Sequence, residues 1–180
     1  MATHLALLRG INVGKHARVP MSVLREVVAG QGFTGVGTYL QSGNIVFTAP
    51  QSSPRAEIAQ LLRTAIAAET TLDPAVIVLS KADWGQVVAQ SPVADLPDPR
   101  LMHAFVRQDP VEPELGRQLS QWRHASQASG SRDDVVVRGQ VAYLSTPDGF
   151  AGSKLAERLS RLDAFTARNW RSVVAIDQLL

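Results

Sequence analysis

The sequence predicts an α+β protein built as two decorated ferredoxin-like (βαββαβ) halves, with antiparallel sheets and helices packed on one face. Three observations carry that prediction. Apolar runs of strand length alternate with segments of helical period. Two pairs of such runs are parted by only two residues, the spacing of tight hairpins. The first half also reads strand, helix, strand, strand, helix, strand, and the second half starts the same series again. No sequence-level repeat links the halves, so the duplication rests on element order alone. The predicted divisions are residues 1–80 for the first half and 81–100 for a linking helix and proline-rich linker. Residues 101–180 form a second, incomplete half with C-terminal helices.

In the first half, Thr3 to Arg9 is a nearly continuous apolar run, which suits a strand buried on both faces. The glycine-punctuated loop from Gly10 to His16 follows. Pro20 opens a helix with Met21, Leu24, Val27 and Val28 on one stripe, closed by Gly30 and Gly32. Tyr39-Leu40 and Ile45-Val46-Phe47 then flank a turn expected at Ser42-Gly43. That register sets Gln41 opposite Asn44, Leu40 opposite Ile45, Tyr39 opposite Val46 and Thr38 opposite Phe47. It puts Leu40, Ile45 and Phe47 under the helices and leaves Tyr39, Gln41, Asn44 and Val46 on a polar second face. Ser53-Pro54 starts the next helix, with Ile58, Leu61, Leu62, Ala65 and Ile66 inward. Asp73-Pro74 breaks the chain before the strand from Val76 to Leu79.

A linking helix opens at Ser80 with Asp83 in its first turn and Trp84, Val87 and Val88 inward. Leu101 to Arg107 reads as a strand, and Glu112 to Arg123 as a helix with Leu115, Leu119 and Trp122 aligned. Asp134–Arg138 and Val141–Ser145 form a second hairpin about Gly139-Gln140. Two helices close the chain, one burying Leu155, Leu159 and Leu162, the other Trp170, Val173 and Val174. Thr166 is the expected cap of the last helix, with Arg168 and Asn169 in its first turn.

The totals narrow the function classes. An apolar fraction of 45% with 19% charged residues is globular composition and excludes wholesale disorder. Without cysteine there are no disulfides, no thiolate nucleophile and no cysteine-bound zinc. Leu5 to Leu8 is too short for a signal-peptide core and no stretch approaches spanning length, so the expectation is a soluble cytoplasmic protein with no membrane partner. The net charge is +2, but it is uneven. Residues 1–50 carry four basic side chains against Glu26, and residues 150–180 carry five against three acids. Such ends suit an anionic partner if they lie together.

The motifs point the same way without naming a reaction. Gly10-Ile11-Asn12-Val13-Gly14-Lys15 follows a strand, but a Walker loop needs four residues between its glycines and a Ser or Thr after the lysine. Here there are three, and His16 follows. What survives is a glycine loop beside Arg9 and Lys15 whose N–H groups can receive a phosphate or carboxylate. His4, His16, His103 and His124 lack metal spacing, Asp133-Asp134 reads as a solvated pair, and no Gly-x-Ser-x-Gly elbow occurs. No catalytic residue, metal ligand or cofactor is nominated. Arg168 opposes the positive end of the helix predicted around it, so it needs a carboxylate or a ligand beside it.

Four stretches together resemble a known family. They are Arg9-Gly10-Ile11-Asn12-Val13-Gly14, Tyr39 to Phe47, Gly152-Ser153-Lys154-Leu155 and Thr166 to Val173. In this order they resemble the bacterial family known as domain of unknown function 1697, over residues 3 to about 176. The resemblance implies a small cytosolic bacterial protein of ferredoxin-like α+β units. It implies no activity, substrate or catalytic residue. The chain departs from the family at Lys15, where members often carry a second glycine.

The leading functional expectation is a binding module for an anionic ligand, either a nucleic acid or a phosphorylated or carboxylated small molecule. Its candidate residues are Arg9, Asn12, Lys15, Gln41, Asn44, Lys154, Arg168 and Asn169, converging on one polar site. The strand at Asn44–Thr48 lacks the aromatic signature of an RNA-recognition motif, and aromatics are only 6% of the chain. The alternatives are a small enzyme on an anionic substrate and an internal polar network with no ligand.

Overall fold

A computed structural model describes residues 1–12, 18–50, 52–70, 72–93 and 98–180. The chain forms two compact units, one of residues 1–86 with 176–180, the other of residues 87–175. The first carries β1 (His4–Leu8), α1 (Met21–Gly30), β2 (Thr34–Tyr39), β3 (Asn44–Thr48), α2 (Arg55–Thr70) and β4 (Val76–Ser80). Helix α3 (Lys81–Ala89) runs from the first unit into the second. The second carries β5 (Met102–Val106), α4 (Pro113–Ala128), β6 (Asp134–Arg138), β7 (Val141–Ser145), α5 (Lys154–Ser160) and β8 (Thr166–Asn169). Helix α6 (Trp170–Asp177) leads back to the first. This is an α+β fold with two four-stranded antiparallel sheets, ordered β2-β3-β1-β4 and β6-β7-β5-β8. In each, the first two strands run in the same direction with the third inserted between them.

Strand alternation assigns the faces of the first sheet. Ala6, Leu8, Ile45, Phe47 and Val78 pack with Leu24 and Val28 of α1 and Ile58, Leu62 and Ile66 of α2. Leu61, expected on the buried stripe of α2, is instead 43% exposed. The expected hairpin register is corrected. Tyr39 pairs with Asn44, Thr38 with Ile45 and Gly37 with Val46, leaving residues 40–43 as the connection. Leu40 therefore sits in the loop at φ 54°, exposed, rather than under the helices. Gly43 causes this. Its φ is +72°, and a Cβ there would come within 2.7 Å of Leu8 Cβ and 2.9 Å of Ile11 Cδ1. It also accepts the Leu8 N–H at 2.8 Å, which locks the loop against the end of β1.

The second face is corrected too. Expected to be polar, it joins Tyr39, Asn44 and Val46 to Leu5, Leu7, Ile77 and Leu79, all buried but the half-buried Tyr39. The hairpin alone shows half of that face; β1 and β4 supply its leucines and isoleucine.

In the second sheet Phe105, Ala142, Leu144 and Val135 pack with Leu119 of α4 and Leu155 and Leu159 of α5. The opposite face, with Met102, Ala104, Val106, Tyr143, Thr166 and Arg168, is buried as well. The expected missing strand exists. Residues 166–169 pair with β5, Val106 opposite Thr166 and Ala104 opposite Arg168. The cap of α6 is accordingly Asn169, whose Oδ1 accepts the Ser172 N–H at 2.9 Å, and not Thr166. Arg168 thus belongs to a strand, not to a helix turn. Val174, expected inward, is 42% exposed.

Candidate functional site

The predicted residues fall in both units. In the first, Gly10 and Asn12 turn the chain after β1 with φ of 73° and 55°. Asn12 is a clamp: Nδ2 donates to Val19 O at 3.1 Å and to Gln41 O at 2.7 Å, while Oδ1 accepts the Val19 N–H at 2.7 Å. It closes its own loop and ties it to the β2–β3 connection. Gln41 takes part through its carbonyl, and its side chain stands in an exposed loop. Asn44, 1% exposed, donates to Tyr39 O at 2.9 Å and Ser42 Oγ at 3.0 Å and so staples the hairpin from within. Arg9 is half-buried, and its backbone N–H donates to Ala75 O at 2.9 Å. Lys15 lies outside the described residues.

In the second unit, Arg168 is buried with Nη1 donating to Thr166 Oγ1 and Ala167 O, both at 2.8 Å. Burial lowers its pKa to about 10, which leaves it charged at neutral pH. Asn169 is occupied as the cap of α6.

Lys154 stands in a different setting. Helix α4 ends in a Schellman turn: Gly130, at φ +87°, donates to Gln127 O at 2.9 Å, and Ser131 donates to Ser126 O at 3.2 Å. Helix α5 begins at the cap Ser153, whose Oγ accepts the Ala156 N–H at 2.9 Å and donates to Asp133 Oδ2 at 2.7 Å. Asp133, expected to be solvated, is thus 4% exposed and anchors this cap, while Asp134 pairs with Arg123. The two helix ends enclose a cleft of about 210 Å³ lined by Trp122, Ala125, Ser126, Ser129, Lys154, Leu155 and Arg158. A polar hollow of about 280 Å³ adjoins it, sharing Ser126, Ser129 and Lys154 and reaching Asp133.

Two cations flank the cleft. Arg158 lies over the Trp122 ring at 5.7 Å. Among the described residues no ion pair engages Lys154 or Arg158. Elsewhere on the surface the arginines are mostly matched, as in Arg63–Asp73, Arg100–Asp98 and Arg132–Asp148. A cleft with two cations and serine hydroxyls can hold an anion. Sequence reasoning found Lys154 but missed Arg158, Trp122 and the serines. The available signal was Ser129-Gly130, a helix-stop pair that brings the end of α4 beside Gly152-Ser153-Lys154. Among the described residues no group of three or more His, Asp or Glu could hold a metal ion, and no helix is long and apolar enough to cross a membrane.

Comparison with known proteins adds the family and the fold. No curated protein matches the chain. A solved structure, that of a conserved bacterial protein from Streptococcus pneumoniae, is similar over 99% of this chain and 98% of its own. The TM-score is 0.72 at 19% identity, a likeness of fold. The sequence pattern of the family described as "Protein of unknown function (DUF1697)" matches residues 1–143, most of the chain. It is to this family that the chain belongs.

Proposed function

We propose that the protein is a binding module for a small anionic ligand, a phosphorylated or carboxylated molecule held in the cleft between the ends of α4 and α5. The observation that supports this reading is the pair of cations, Lys154 and Arg158, that no ion pair among the described residues engages at a cleft bearing hydroxyls. Size favours a small ligand over a nucleic acid strand. At about 210 Å³ the cleft falls below the roughly 300 Å³ at which drug-sized pockets begin, and suits one anionic group with a few attached atoms. Both cations are exposed, so affinity is modest and salt-sensitive.

Isothermal titration with glycerol phosphate and with short fluorescent oligonucleotides tests the reading. Binding of glycerol phosphate that weakens about tenfold in a Lys154→Ala/Arg158→Ala variant is the expected result, since two charge-assisted contacts are lost. Arg9→Ala and Arg168→Ala belong in the same series, because both were predicted at an anionic site. Binding that is unchanged in the double variant sinks the proposal. Tight, steeply salt-dependent binding of the oligonucleotides alone would replace it with the nucleic-acid reading.

A further inference from the structure

A second cavity, in the first unit, has a different chemistry. It encloses about 350 Å³ and is lined by Thr3, His4, Ser80, Lys81 and Ala82. His4 and Ser80 are cross-strand neighbours on β1 and β4. The His4 ring is 3% exposed and stacks on Phe47 at 5.7 Å.

Which polar groups in the wall are already occupied decides what the cavity can bind. The Ser80 hydroxyl donates to Asp83 Oδ2 at 2.6 Å and accepts the Asp83 N–H at 3.1 Å, while the Ser80 N–H donates to Asp83 Oδ2 at 2.9 Å. This reciprocal box caps α3, and Arg55 donates to the same carboxylate at 2.7 Å. Thr3 Oγ1 donates to Ala49 O at 3.2 Å and accepts the Ala49 N–H at 3.2 Å. With the Thr3 proton placed on Ala49 O, His4 Nδ1 is the donor across its 2.8 Å contact with Thr3 Oγ1. His4 Nε2 is left bare, with no partner among the described residues. Burial lowers the His4 pKa, opposed by Asp83 and reinforced by Arg55, which favours the neutral ring. Lys81 Nζ donates to Leu180 O at 2.5 Å and lies 3.9 Å from Met1 Sδ, and an ammonium with three donors retains capacity.

The spare capacity in the wall is then two acceptors, His4 Nε2 and the second lone pair of the Ser80 hydroxyl, and one cation, Lys81. We infer that this cavity is a second binding site, for a small hydroxycarboxylic acid whose hydroxyl donates to His4 Nε2 and whose carboxylate lies at Lys81. It is independent of the cleft at Lys154.

The test uses the full chain, ¹⁵N-labelled at histidine, with glycolate and acetate as probes. The ligand-free protein should show His4 as the Nδ1–H tautomer, and glycolate should shift the Nε2 resonance upfield. Acetate, which lacks the hydroxyl, should bind about three- to tenfold more weakly, the worth of one hydrogen bond. His4→Phe keeps the stack on Phe47 and should remove that discrimination. An Nε2–H tautomer, equal binding of the two acids to the unmodified protein, or an unmoved His4 resonance at saturation would each overturn the inference. The acid comparison stands even if His4→Phe does not fold.

Discussion

Gly43→Ala offers the sharpest test of how the β2–β3 connection is held. Two penalties combine there. An alanine at φ +72° meets the left-handed cost of about 1–2 kcal/mol. Its Cβ would then stand 2.7 Å from Leu8 Cβ and 2.9 Å from Ile11 Cδ1. Leu8 Cβ is fixed to a central strand and cannot yield as a flexible tip could, so overpacking adds about 1–3 kcal/mol. Lower entropy of the unfolded chain returns about 0.4–1 kcal/mol. The expected loss is about 1–5 kcal/mol, or a fall in Tm of roughly 2–18 °C for a chain of this length. Thermal and urea denaturation followed by circular dichroism measure it. Gly32→Ala is the control, because that residue has φ +87° but open space around it, and it should show the left-handed cost alone. If Gly43→Ala loses no more than Gly32→Ala, close packing of the loop on β1 is not what requires the glycine.

Three further outcomes follow from the packing. Asn44→Ala should cost about 1–3 kcal/mol, since Tyr39 O and Ser42 Oγ lose a buried donor, and a urea midpoint unchanged at constant slope would contradict it. Burial raises the Tyr143 pKa to about 12, with its hydroxyl donating to Val87 O at 2.7 Å. The unfolded chain loses that proton first, so stability is complete below about pH 10 and falls by about 3 kcal/mol as pH rises through the folded value. Alkaline titration at 295 nm should show one of the two tyrosines still protonated near pH 11. His103 lies over the Phe150 ring at 4.1 Å, its buried Nδ1 has no partner among the described residues, and burial lowers its pKa. The unfolded state takes the proton first, so stability held above about pH 6.5 is lost as pH falls through the folded value. His103→Leu should flatten the decline in urea midpoint between about pH 7 and 5, and an unchanged slope there would refute this.

Most elements were legible because their signals are local. The stripe of α1, the proline before α2 and the apolar runs of β6 and β7 about Gly139-Gln140 each act over a few residues. The misreadings share a cause in long-range contact. Residues 42–43 suit a two-residue turn until Gly43 meets Leu8, a residue distant in sequence, and the loop widens. Thr166 and Asn169 both satisfy the rule for a helix cap. Pairing with β5 selects between them, and nothing within 166–169 announces that pairing. The polar motif residues were conspicuous for what they are, but Asn12, Asn44 and Asn169 hold turns and caps. Arg158 escaped notice because its cleft exists only when the ends of α4 and α5 meet.

The route of the chain constrains how the protein is made. Residues 176–180 count with the first unit, where Ile176 and Leu180 are buried and Leu180 O receives Lys81 Nζ. A ribosome delivers residues in order, at about 5–20 per second. The first unit therefore waits, with its last apolar positions unfilled, while all of residues 87–175 are synthesised. The second unit is a self-contained stretch of chain and can close earlier. During those seconds the first unit stands incomplete, open to proteases and chaperones. Cutting the chain once cannot yield it intact, but a circular permutant joining its two segments can.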